Sequence, residues 1–122
     1  MSRIIYSLIF LATLFLVSRF VFEPANLYYE LKWLDIPMHV LGGLGIGALG
    51  YAVFTYRQKS ISFFSLFLMF ALVTLVWEGY EFLRGVMDYN ELSDYVDTVF
   101  DTINGALGVY ISHFLATSSK EK

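Results

Sequence analysis

Between residues 61 and 77 the chain carries no charged side chain. A run that long and that apolar has few alternatives, because about 20 mostly apolar helical residues cross the ~30 Å hydrocarbon core of a bilayer. Three further segments follow the same rule. Spans are expected over about residues 4–22, 35–56, 61–83 and 95–116. The fourth is the weakest by hydropathy, because Asp97 and Asp101 stand in its first turns. Composition points the same way: 57% of residues are apolar and 16% charged, against about 45–50% and about 25% in soluble domains. The expected fold is all-α: a polytopic membrane protein in which residues 1–122 form a single transmembrane domain, an antiparallel four-transmembrane-helix bundle.

The apolar run after Arg3 is long for a secretory leader, and no small-x-small cleavage pattern follows it. It is therefore expected to remain as the first helix. The absence of cysteine excludes disulfides and thiolate metal sites. A net charge of −3 argues against nucleic acid as a partner. The lipid bilayer is the expected partner, and a homo-oligomer is compatible with the composition.

The connections are short, as antiparallel neighbours require. Residues 23–34 hold Pro24, Tyr28, Tyr29 and Trp33, aromatics suited to the headgroup level. Residues 57–60 form a basic turn, and residues 84–94 an acidic one. An even number of spans puts both termini on one side. That side carries Arg3, Arg57, Lys59, Lys120 and Lys122, and the other Arg19, Lys32 and Arg84. The positive-inside bias favours a multi-pass protein of the cell membrane with both termini cytoplasmic. The acids are more lopsided: of eleven Asp and Glu, only Glu121 lies on the terminal side.

Three expected helices deliver polar residues to one depth. Asp35 and His39 open the second, Glu78 and Glu81 close the third, and Asp97, Asp101 and Asn104 begin the fourth. At 1.5 Å rise per residue all lie within roughly 10 Å of the non-cytoplasmic boundary. Spacings of three and four put each set on one helix face, so the three faces can share a centre. Five carboxylates there would repel, at roughly 4 kcal/mol per pair at 4 Å and an effective dielectric near 20. Protonation, basic partners or a cation relieves this. Arg19 and Arg84 are at the right depth to help but are too few. A divalent metal on Asp35, His39, Glu78, Glu81, Asp97 and Asp101 would balance the charge more completely, and the donor set suits Zn, Mn or Fe. Asn104, Arg84 and Arg19 are supporting residues in this reading.

Plainer roles compete at several positions. Asp35 and Asp97 can each cap a helix N-terminus. A lone His39 can be a hydrogen-bonded packing residue. His113 looks isolated and interfacial near the inner end. Asp88, Glu91 and Asp94 read as a solvated loop face, with Asp94 in reach of Asp97. Gly42, Gly43, Gly45, Gly47 and Gly50 on the second helix, with Gly105 and Gly108 on the fourth, read as close helix packing.

Taken in order, Asp35-x-x-x-His39 with its following glycines, Trp77-Glu78-Gly79-Tyr80-Glu81-Phe82, and Asp97-Thr98-Val99-Phe100-Asp101 before Gly105-Ala106 resemble the YjdF-like family of uncharacterised bacterial inner-membrane proteins. The chain is also distantly similar to VanZ-like proteins. The resemblance covers roughly residues 35–110. It implies the membrane fold and the same site residues but no reaction. The VanZ-like likeness implies envelope lipid or wall precursors as a theme.

Three functions follow. The first is a metal-dependent hydrolase or transferase acting on lipid or envelope precursors, with Glu78 or Glu81 as general base and His39 as ligand or acid. The second is cation or proton binding or transport, disfavoured because the polar residues stop near the outer third. The third is a structural or assembly role in which the acids only bond helix to helix.

Overall fold

The computed structural model describes residues 1–85 and 92–118. The loop acids Asp88 and Glu91 and the tail residues Lys120, Glu121 and Lys122 lie outside the described residues. Every element among the described residues is helical. Helix α1 (Ser2–Val17) continues into a π-helical turn, Ser18–Phe22. The short α2 (Leu27–Glu30) and a 3-10 turn (Lys32–Leu34) lead into α3 (Asp35–Tyr56), followed by α4 (Phe63–Leu83) and α5 (Leu92–Ser118).

Local chemistry sets several of these ends. Pro37 falls in the first turn of α3, where its missing N–H has no intrahelical acceptor to lose. The α4 helix starts at Phe63 rather than at residue 61 because Ser62 is its N-cap, Oγ accepting from the Ser65 amide at 3.1 Å. It ends at Leu83, and Gly85, just past the C-cap Arg84, has a φ of +68° that suits a residue without Cβ. The π turn closes with the Glu23 amide donating to the Ser18 carbonyl at 2.9 Å, one residue further back than an α-helix reaches.

Three stretches are long and apolar enough to cross a membrane: Ser2–Phe22, Lys32–Tyr56 and Phe63–Leu83. The α5 helix is longer, at 27 residues, but Asp94, Asp97, Asp101, Asn104 and His113 keep it less apolar than these. The distribution of side chains is that of a lipid-solvated protein. Leu72, Leu75, Val76 and Leu83 of α4 are turned outward, while the buried hydrophobics among the described residues are only Ala52, Leu66, Phe70 and Val109. Exposed apolar surface of this extent marks contact with an apolar phase.

The centre of the fold is the α3–α5 pair, the most extensive contact in the molecule. A Cβ on Gly43 would fall 1.8 Å from the Gly105 carbonyl oxygen, and one on Gly108 would fall 2.0 Å from the Val40 oxygen. The two backbones therefore touch, as the small-residue spacing anticipated. A Cβ on Gly47 would meet Ser112 at 2.7 Å, extending the seam downward. The α1 helix packs on α3, where Gly45 receives Leu11, and α4 packs on α5 and α3.

Candidate metal centre and its cavity

One turn above the seam, α3 and α5 bring together three donors. His39 Nε2 lies 3.3 Å from Asp35 Oδ1 and 3.3 Å from Asp101 Oδ2. The three donor atoms all lie within 4.8 Å of one another. Asp35 reaches His39 as its i+4 neighbour. Asp101, which is buried, reaches it across the interface, because Gly43 and Gly105 let the helices close to backbone contact.

Asp35, His39 and Asp101 can hold a metal ion. Two donors each about 2.1 Å from a tetrahedral metal stand about 3.4 Å apart, close to both observed separations. A neutral imidazole nitrogen carries either one proton to donate or one lone pair with which to accept, so it makes one well-aligned hydrogen bond at a time. Here one Nε2 faces two carboxylates at distances longer than the ~2.7–2.9 Å of a strong charge-assisted hydrogen bond. Two carboxylate oxygens and an imidazole suit Zn, Mn or Fe.

The triad opens onto a cavity of about 760 Å³ between α1, α3, α4 and α5. Glu78, Glu81, Asp94 and Asp97 line it outside the triad. Glu78 is buried and accepts from Thr98 Oγ1 at 2.9 Å. Of the six residues expected as metal ligands, the structure draws Asp35, His39 and Asp101 together and leaves Glu78, Glu81 and Asp97 on the surrounding wall.

Several expectations need correction. Arg19 and Arg84 line the cavity, but the partner they share is Glu23: Arg19 Nη1 donates to Glu23 Oε2 at 2.7 Å and Arg84 Nη2 to Glu23 Oε1 at 3.2 Å. Asn104 is half-buried and is not among the lining residues, because it lies a turn below Asp101 and rotated from it. Neither acid caps as suggested. The N-cap of α3 is Leu34, and Asp35, the first residue of the helix, faces His39. Asp97 lies well inside α5, which starts at Leu92. His113 is not isolated: its Nδ1 pairs with the Tyr51 hydroxyl across α3 and α5, beside the Phe63 ring.

Glu23, Tyr28 and Lys32 line the cavity from the 23–34 connection, a segment to which the sequence assigns no site role. The signal for Glu23 was its i+4 spacing from Arg19. Its hydrogen bond to Arg84 holds that guanidinium above its ordinary pKa, so the charge is permanent. Burial pushes the Tyr28 phenol up, against the opposing hydrogen bond with Ser18, and keeps it protonated. Comparison with protein-family models, curated proteins and solved structures finds no match.

Proposed function

We propose that this chain is a four-transmembrane-helix protein of the cell membrane, with both termini cytoplasmic. In this reading Asp35, His39 and Asp101 hold one divalent metal ion in the service of a hydrolase or transferase acting on a lipid or envelope precursor. The observation that carries the metal is the single imidazole nitrogen set 3.3 Å from two carboxylates on different helices. In this reading α5 is the fourth span, which its packing against both α3 and α4 supports. The order of the Asp-x-x-x-His, Glu-x-x-Glu and Asp-Thr-x-x-Asp motifs supports a place in the YjdF-like family, with VanZ-like proteins as distant relatives.

A divalent ion there supplies Lewis-acid polarisation of a phosphoryl or carbonyl oxygen. The protein supplies the rest. Glu81, which lines the cavity outside the triad, would take the proton from a nucleophile in this reading. Glu78 stands one turn away, anchored by Thr98. Arg19, Arg84 and Lys32 bring positive charge to the cavity lining. A transmembrane cation path is less well served, because the α3 and α5 backbones meet directly below the triad at Gly43 and Gly105.

The test is metal content by mass spectrometry on protein purified in mild detergent, beside Asp101→Ala and His39→Ala. About one equivalent of Zn, Mn or Fe in the native protein, lost in both variants, is expected. No metal after reloading with all three would overturn the reading and leave the carboxylates to a structural role.

A further inference from the structure

Resting on that reading of the site, we propose its substrate class: a phosphate-bearing lipid. Its headgroup occupies the cavity, and one of its hydrocarbon chains passes sideways into the bilayer between α1 and α4. The cavity has two chemically different halves. One carries the triad, the basic Arg19, Lys32 and Arg84, and the carboxylates of Glu23, Glu78, Glu81, Asp94 and Asp97. The other is walled by Leu11, Leu14, Ile46, Phe70 and Val73. Its volume of about 760 Å³ falls within the roughly 300–1,000 Å³ of small-molecule sites. A soluble phosphate compound would leave the apolar half facing water. A hydrocarbon chain fills it with the surface it is built to desolvate.

Seven carboxylates line the cavity beside Arg19, Lys32 and Arg84, so a phosphate is held by those three cations together with the divalent ion of the triad. Arg19 and Arg84 share one carboxylate, Glu23, which occupies only some of their N–H donors. Arg84 also stands over the Tyr80 ring, 5.5 Å from its centroid, and the N–H groups that Glu23 leaves suit a doubly accepting ligand such as a phosphate. Lys32 lies on the same lining.

The apolar half also has a way out. A shallow groove of about 300 Å³ on the outer surface is lined by Phe15, Val73, Val76, Trp77 and Tyr80. All but Val76 also line the main cavity, so the groove and the cavity adjoin across those side chains. Phe15 and Trp77 meet edge to face with centroids 6.0 Å apart, and α1 and α4 otherwise touch only lightly. Val76 on the groove is 74% exposed. Both helices are long and apolar enough to span a membrane, so this opening faces lipid tails.

The experiment uses the Trp33→Phe protein in maltoside, in which Trp77 is the remaining tryptophan of two. Trp77 emission is followed during titration with lysophosphatidic acid, glycerol 3-phosphate, inorganic phosphate and monoacylglycerol, and metal content is measured on the same sample. Lysophosphatidic acid is expected to shift the emission at a concentration at least about tenfold below any of the other three. Adding Val73→Phe, which fills the apolar half away from the triad, is expected to weaken that response while leaving metal content unchanged. Equal affinity for inorganic or glycerol phosphate would overturn the proposal in favour of a soluble-phosphate site. Equal affinity for monoacylglycerol would reduce it to a greasy groove, and no response to any ligand would also overturn it. Metal retained without lipid binding refutes this inference alone. Lipid binding without metal refutes the metal reading alone.

Discussion

His39 and Asp101 face each other across α3 and α5 at 3.3 Å, and each stands four residues before the glycine at which the two backbones touch, Gly43 and Gly105. The seam and the triad are therefore one device: the glycines set the interhelical distance, and the pair of side chains above reads it out. Gly43→Ala puts a methyl group 1.8 Å from the Gly105 oxygen, which only backbone separation relieves. We expect a loss of stability at or above the ~1–3 kcal/mol typical of overpacking, and a loss of bound metal with it. Gly79→Ala is the control, because nothing lies within 4 Å of the added carbon. Thermal unfolding in detergent and metal content check both, and intact metal in Gly43→Ala would break the link between seam and site.

Metal binding should also appear as stability. A ligand that binds only the folded state stabilises it by about 2.7 kcal/mol at a hundredfold excess over its dissociation constant. Chelation is therefore expected to lower the melting temperature of the native protein and to leave Asp101→Asn unmoved. The sign of the pH effect follows from competition. Two carboxylates and an imidazole must all be free of protons to coordinate, so affinity falls as pH falls. Melting temperatures with and without added Zn or Mn, taken at two pH values, test this. A metal-dependent rise in Asp101→Asn equal to that of the native protein would count against the triad.

Much of this architecture is legible in the chain, and the limits have physical causes. The span expected over residues 35–56 coincides with α3, because apolar length and flanking polarity define a membrane helix directly. The π turn at Ser18–Phe22 has no such signature, and α5 extends beyond 95–116 at both ends because polar residues lower hydropathy without ending a helix. Depth and face gave six candidate ligands. Spacing along one helix says which side chains share a face, but not how that face is rotated against its neighbours. Only the packed seam shows that Asp101 meets His39 while Glu78, Glu81 and Asp97 stay on the wall.

Glu23 ties the end of the π turn to the end of α4 through Arg19 and Arg84. All three side chains are about a third exposed, so solvent screens the ion pairs and they add little to stability. Glu23→Gln is expected to change unfolding only slightly. It also removes the carboxylate that competes for both guanidinium groups. Binding of lysophosphatidic acid should therefore tighten, which a titration beside the parent protein measures. Weaker binding would mean that Glu23 orients the arginines rather than occupying them.

The Tyr51–His113 pair joins α3 and α5 at the far end of the seam from the triad. Hydrogen bonds between membrane helices average about 0.6 kcal/mol and reach about 1.7 kcal/mol. Tyr51→Phe and His113→Phe should each destabilise by roughly that amount, and the double variant should cost less than the two singles together, because one bond is lost only once. Metal content should not change in any of the three, since Gly43 and Gly105 hold the upper seam independently. Additive costs would show that the two side chains act through separate contacts, with His113 drawing its stability from the edge-on Phe63 ring 5.4 Å away rather than from the tyrosine.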